Sequence, residues 1–310
     1  MARRNPTTGK SPPVCPINLS NDVAVGMRVR PLDDDRGSQG SNVKVDAVAG
    51  RIEIERKNFE FVHVYDRPEN LPLLEPIGKP LVENIIEGYN GTFIVYGQTG
   101  SGKTYTMGEL DKIGTRDEGV GHLMIRELFR QLDAAHEDRF AVRMQYVQLY
   151  LEEVYDLLAT GERASVGLEV KMDRKRRVFI EGATQEPLAN AEECFKVLQR
   201  ASGNLKFAST KMNRHSSRSH VICQLIVDVE HAHSTATEGA GQVAGHANTG
   251  NDKRGFDGGP SNLTHWRQGS VDAISATLSR QRSLIMRTTT AMLTLCDLAG
   301  SEDIKRSGQC

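Results

Sequence analysis

The chain has 310 residues, 38% of them hydrophobic and 25% charged, with 39 Lys+Arg against 40 Asp+Glu and a net charge of −1. This balance fits one large globular unit or two small ones and argues against bulk, nonspecific capture of nucleic acid; a polyanionic partner would have to meet a local basic patch. No run approaches eighteen apolar residues, so no membrane-spanning helix is expected, and five scattered cysteines without a CxxC pair suggest neither a zinc site nor a disulfide framework, in keeping with a reducing cytosolic compartment.

The N-terminus is basic (Arg3, Arg4) but has no apolar core behind it, so it does not read as a secretory signal. Pro6, Pro12, Pro13 and Pro16 without periodicity predict a disordered arm over residues 1–20, followed by a domain over 21–310. Val23, Val25, Met27 and Val29 alternate, predicting a strand that ends at Arg30-Pro31. Residues 33–42 read as a loop, and residues 43–48, 51–55 and 58–64 as short strands joined by turns. Leu73, Leu74, Ile77, Leu81, Ile85 and Ile86 recur at helical spacing, predicting a helix over 73–89 that stops near Gly88.

Residues 97–104 read Gly97-Gln98-Thr99-Gly100-Ser101-Gly102-Lys103-Thr104, a glycine, four residues, then Gly-Lys-Thr. The preceding run Thr92-Phe93-Ile94-Val95-Tyr96 is apolar and β-branched, as a buried strand should be, so the loop lies between a strand and a helix. Glycines allow backbone N–H groups to close around phosphate oxygens, and the following helix turns its positive end to the anion. In that arrangement Lys103 reaches the β/γ-phosphates and the Thr104 hydroxyl ligates Mg²⁺. Triphosphate binding is the expectation from this loop alone.

Further along, an amphipathic helix is predicted over 119–136 and an alternating strand over 139–151. Asn190 with Glu193 forms a capping box opening a helix to about residue 210. Strands follow over 221–229 and 292–295, the second ending in Asp297. Alternating strands and helices imply an α/β sandwich whose central sheet is mixed and mostly parallel, with the ligand at the strand C-terminal ends. Residues 231–287 break the pattern: Gly-rich and polar, with His231, His233, His246, His265 and the single tryptophan, Trp266, they read as an inserted surface loop carrying a short helix over 271–285. The irregular histidine spacing does not suggest a metal site.

Two more strings bear on chemistry. One is Asn213-Arg214-His215-Ser216-Ser217-Arg218-Ser219-His220; the other is Asp297-Leu298-Ala299-Gly300-Ser301-Glu302, an apolar strand ending in Asp with Gly three residues on. The second fits an aspartate that holds a Mg²⁺ water and a glycine N–H that meets a γ-phosphate. With the phosphate loop and its continuation Tyr105-Thr106-Met107, with Arg28-Val29-Arg30-Pro31, with Glu87-Gly88-Tyr89-Asn90-Gly91-Thr92, and with Tyr150-Leu151-Glu152-Glu153-Val154-Tyr155-Asp156-Leu157-Leu158, these strings resemble the kinesin motor domain over about 23–306, the insertion excepted.

The resemblance implies a three-layer P-loop NTPase sandwich and an ATP-dependent microtubule motor in the cytoplasm, on the cytoskeleton. It implies ATP and Mg²⁺ as ligands, cradled by residues 97–104, with Arg30 and Pro31 bordering the adenine and Tyr105 packing near it. Ser217 would complete the metal shell, Asp297 would act on the metal through water, and Gly300 would sense the γ-phosphate. Arg218 and Glu302 would pair across the two switch strings, and Glu302 would help relay the proton of the attacking water; an ordinary surface ion pair is the competing reading. Tubulin is acidic, and Lys171, Arg174, Lys175, Arg176 and Arg177 fall where the family places a tubulin-contacting loop, although a solvated hairpin tip explains them too; Lys305 and Arg306 are further candidates.

A complete motor of this family continues beyond the second switch, so the resemblance leads us to expect an incomplete motor domain, poorly stable by itself. Two other functions compete: a non-motile, nucleotide-dependent microtubule-binding module, and a generic P-loop switch. No guanine-selecting Asn-Lys-x-Asp occurs, which disfavours the latter.

Overall fold

A computed structural model of the chain describes residues 23–31, 43–135, 139–174, 176–206, 219–233 and 285–302. The expected N-terminal arm, the loop at 33–42, Lys175, Ser217, Arg218, most of the 231–287 segment with its helix, and Lys305 and Arg306 lie outside the described residues.

The first strand, β1 (Gly26–Arg28), is shorter than the alternation predicts and pairs in parallel with β5 (His63–Tyr65). Between them, β2 (Val43–Asp46), β3 (Arg51–Ile54) and β4 (Lys57–Glu60) form a separate antiparallel sheet. The predicted helix is realised as α1 (Leu71–Leu73), a π-turn (Leu74–Gly78) and α2 (Lys79–Ile86). The wider π-turn accommodates Pro76, which cannot donate to a regular ladder. The phosphate-loop strand β6 (Gly91–Val95) buries Gly91, Phe93 and Val95 and leaves Thr92 and Ile94 outward; it feeds the five-residue α3 (Lys103–Met107).

Helix α4 (Val120–Ala134) buries Val120, Met124, Ile125, Leu128, Phe129 and Leu132, the apolar stripe that periodicity requires. After it come β7 (Arg139–Tyr150), β8 (Glu153–Asp156), β9 (Gly167–Leu168), a hairpin of β10 (Val170–Met172) and β11 (Val178–Ile180), and β12 (Glu186–Leu188). Helix α5 (Ala191–Ala201) starts as predicted: the Glu193 N–H donates to Asn190 Oδ1 at 2.8 Å, and the Glu193 carboxylate accepts from the Ala189 N–H at 2.6 Å. It ends well before residue 210, in a turn at Ser202-Gly203, where Asn204 donates to the Leu157 and Ala159 carbonyls and draws the chain away.

Strands β13 (His220–His233) and β14 (Ile285–Asp297) run further than their alternation predicts, into both ends of the segment read as a loop. Each supplies the other's hydrogen bonds from Val221↔Asp297 to His233↔Ile285, and that continuous ladder overrides weak local propensity. The seven-stranded sheet has the order β6-β14-β13-β7-β8-β9, with β12 beside β7. It is mixed, as expected, but the expected parallel majority is corrected: within this sheet β6 and β14 pair in parallel, and its other ladders among the described residues are antiparallel. The reason is connectivity, because β7, β8 and β9 follow one another without the crossover helix that parallel pairing needs.

One face of this sheet, with Phe93, Leu295, Cys223, Tyr146, Leu225 and Met144, packs on α2, α4 and α5 in a single core. On the other face Ile94, on the edge strand, is 54% exposed, while Val147, Thr294 and Cys296 further into the sheet are buried.

Candidate functional site

The parallel pairing of β6 and β14 sets Asp297 opposite Val95, so both strands end at one rim. The chain beyond them stays in register for a few residues more: the Leu298 N–H donates to the Val95 carbonyl and the Ser301 N–H to the Gly97 carbonyl. Two strings almost two hundred residues apart are thereby held side by side, with Thr104 and Asp297 separated by 193 positions in sequence.

The phosphate loop turns into α3 at Gly102, whose φ of 97° is the left-handed region that favours glycine. Lys103 Nζ donates to the Gln98 carbonyl at 2.9 Å, folded across the loop. Next to it, the Thr104 hydroxyl donates to Asp297 Oδ2 at 2.7 Å. The other oxygen, Asp297 Oδ1, is buried and has no hydrogen-bond partner. Burial raises the Asp297 carboxyl above its usual range, partly offset by the Thr104 hydrogen bond and the Lys103 charge. A buried orphan carboxylate oxygen beside a hydroxyl is a cost that a hard cation would relieve, so the donor set fits Mg²⁺, which takes one or two protein oxygens and fills its shell with phosphate and water.

Gly300 passes against the loop so closely that a Cβ there would collide with the Thr99 hydroxyl and the Glu302 carboxylate. The Glu302 carboxylate accepts from the Thr99 N–H at 2.9 Å and from the Thr99 hydroxyl, 203 positions away in sequence. Those Thr99 bonds, the side-chain one foremost, lower its pKa. The expected partner Arg218 lies outside the described residues, and here Glu302 is docked on the phosphate loop. Of the first switch string, Ser219 is buried and accepts from Gln148 Nε2 at 2.9 Å, and His220 Nδ1 accepts from the Ala299 N–H at 3.1 Å.

On the flank of the loop, Arg30 donates to the Gly100 carbonyl at 2.7 Å, while Pro31 is exposed at the end of that segment. Tyr105 donates to the Pro68 carbonyl at 3.0 Å, and the Arg28 guanidinium lies 5.0 Å from its ring centre. Arg28, the first residue of the Arg28-Val29-Arg30-Pro31 string, joins this cluster, as does Asn70, which no local pattern distinguishes from an ordinary turn asparagine.

Behind α3, His122 packs against Gly108, edge-on to Phe195 with ring centres 5.5 Å apart, and Arg126 covers Phe195. The His122 ring is buried, its Nδ1 lacks a partner, and burial, with Arg126 adding to it, pushes its pKa down to about 4. The basic hairpin β10–β11 is exposed at Lys171, Arg174, Arg176 and Arg177. Lys171 is paired with Glu169 and Glu181, and Arg177 with Asp173, so the surface is of mixed charge.

The kinesin motor domain family model matches residues 28–310. The chain is 33% identical over 241 residues to human kinesin-like protein KIF15, covering 73% of this chain and 17% of that protein. It is 34% identical over 212 residues to human centromere-associated protein E, covering 66% of this chain and 8% of that protein. The Arabidopsis thaliana kinesin-like protein KIN-7N is 30% identical over 211 residues, 66% of this chain and 25% of its own length. The chain therefore spans a quarter or less of these relatives. Among solved structures, a fast kinesin superposes with a TM-score of 0.67 at 25% identity, covering 93% of this chain and 68% of the other.

Proposed function

The chain belongs to the kinesin motor-domain family, and from that premise we propose that it binds and hydrolyses ATP and couples the cycle to binding and movement on microtubules. The observation that carries the reading is the Thr104–Asp297 pair, with its unpartnered Oδ1, at the mouth of a glycine-turned loop on a helix N-terminus.

In this reading, backbone N–H groups of residues 97–102 (Gly97, Gln98, Thr99, Gly100, Ser101 and Gly102) take the phosphate oxygens. Lys103 leaves the Gln98 carbonyl for the β/γ-phosphates. Thr104 and Ser217 hydroxyls would hold Mg²⁺, and Asp297 would hold it through water; the ion supplies positive charge to the transferring phosphoryl group. Arg30, Pro31 and Tyr105 border the adenine. The Gly300 N–H meets the terminal phosphate. Glu302 exchanges Thr99 for Arg218, which shuts bulk solvent out around the attacking water, and its carboxylate helps relay the proton that this water gives up. Phosphoryl transfer needs this positioning and charge stabilisation more than covalent chemistry.

Residues 21–310 form this motor domain in our reading, with about 231–287 as a surface insertion whose two ends are the tips of β13 and β14. The partner is the acidic tubulin surface of the microtubule, met by Lys171, Arg174, Lys175, Arg176 and Arg177 and by the second switch, which places the protein on the cytoskeleton. Lys171 and Arg177 must exchange their present carboxylates for tubulin's, and exposed ion pairs of about 0–1 kcal/mol allow it.

Steady-state ATP turnover with and without polymerised tubulin, in the full chain and in Glu302→Ala, tests the proposal. We expect tubulin to stimulate turnover and Glu302→Ala to lose that stimulation by on the order of a hundredfold or more. Co-sedimentation with tubulin and no stimulation, or a GTP preference indifferent to tubulin, would overturn it.

A further inference from the structure

Asn70 is completely buried and immediately precedes the three-residue α1, with a backbone that is itself helical (φ −91°, ψ −29°) where an ordinary capping residue is extended. Its side chain makes no cap bond. Instead Oδ1 accepts from Arg28 Nη1 at 2.5 Å, while Nδ2 donates to the Tyr105 carbonyl at 3.3 Å and to the Asp117 carbonyl at 3.4 Å. One carboxamide thus joins the end of β1, the phosphate-loop helix and the segment leading into α4.

Arg28 adds its own bonds to this hub, to the Thr106 hydroxyl at 2.6 Å and to the Pro68 carbonyl, and lies over the Tyr105 ring. Thr104 and Tyr105 are successive residues of α3 and so point about 100° apart around its axis. Thr104 faces Asp297 and the phosphate end; Tyr105 faces Arg28 on the flank that also carries Arg30. An aromatic ring and a guanidinium are the planar groups on which a base can stack.

We propose that Asn70 is a positioning residue for the base end of the nucleotide: by holding Arg28 against the Tyr105 segment it sets affinity for a purine without touching the phosphates. The inference rests on the nucleotide-site reading above. The physical trace of this role is that the hydrogen-bonding capacity of one fully buried amide is used across three chain segments.

The test compares Mg-ATP with Mg-tripolyphosphate, which has the phosphates and no base, binding to the full chain by calorimetry. Asn70→Ala should weaken ATP about tenfold, or about 1.4 kcal/mol, and leave tripolyphosphate within about twofold. Asn70→Asp keeps the volume and the acceptor for Arg28 but turns an oxygen toward the Tyr105 and Asp117 carbonyls; it should give the same split, and it carries the test if the alanine variant does not fold. Arg28→Gln should weaken ATP as well, and adding Asn70→Ala to it should cost nothing further, since both remove one arrangement. Equal losses for the two ligands, no loss for either, or additive losses in the double variant would overturn the inference while leaving the site reading intact. If the unsubstituted chain bound neither ligand, both would fall.

Discussion

The helix-covered face of the sheet and the rim where β6 and β14 end are built on opposite rules. Leu128, Met144, Leu225 and Leu293 are fully buried and contribute by volume and apolar area. At the rim, Gln98, Thr99, Gly100, Thr104 and Glu302 are exposed, and Asp297, half-buried, has one buried oxygen unsatisfied. The core is held by many interchangeable contacts; the rim is a few specific groups held in place by the core. Stability and ligand binding should therefore respond to different residues.

The largest effect should fall on the core. Leu225→Ala should cost about 2–5 kcal/mol in urea denaturation through lost burial and a cavity, with ATP affinity of the folded protein unchanged. A comparable loss in affinity would show that rim geometry is not independent of core packing. His122 stands where the two regions meet, behind α3, and gives a pH signature. Its folded pKa of about 4 lies below the unfolded value, so the unfolded chain takes up the proton first and stability falls as pH drops from about 6.5 toward 4, by up to about 3 kcal/mol. His122→Gln should flatten that segment of a stability–pH profile.

Lys103→Ala should do the reverse of Leu225→Ala. Mg-ATP affinity should fall by on the order of a hundredfold, about 2.7 kcal/mol, while the melting temperature barely moves, because Lys103 makes one loop hydrogen bond. Parallel losses of stability and affinity would erase the distinction. The smallest effect is local: Asn190→Ala should cost about 1 kcal/mol of stability by removing the α5 cap and leave nucleotide binding untouched.

Much of the core was legible in the sequence. The stripe of Met124, Ile125, Leu128 and Leu132 and the alternation of Phe93 and Val95 report burial directly, because side-chain direction repeats every 3.6 residues in a helix and every two in a strand. The phosphate loop was legible for a related reason: a residue string of fixed length closes on itself, as Lys103 on Gln98 does. Strand direction was not, because it depends on which strands become neighbours. Nor were the long arms of β13 and β14, whose outer residues are strands only because each has the other to bond.

The amino-acid order by itself determined where the apolar faces lie, where a loop could take phosphate, and that Asp297 and Gly300 would follow a buried strand. Tertiary structure decided that Asp297 meets Thr104, that Glu302 docks on Thr99, and that Asn70 accepts from Arg28. Periodicity encodes burial because it acts over a few residues. A polar side chain's partner is chosen by strand order and register, which bring together groups that no local pattern connects.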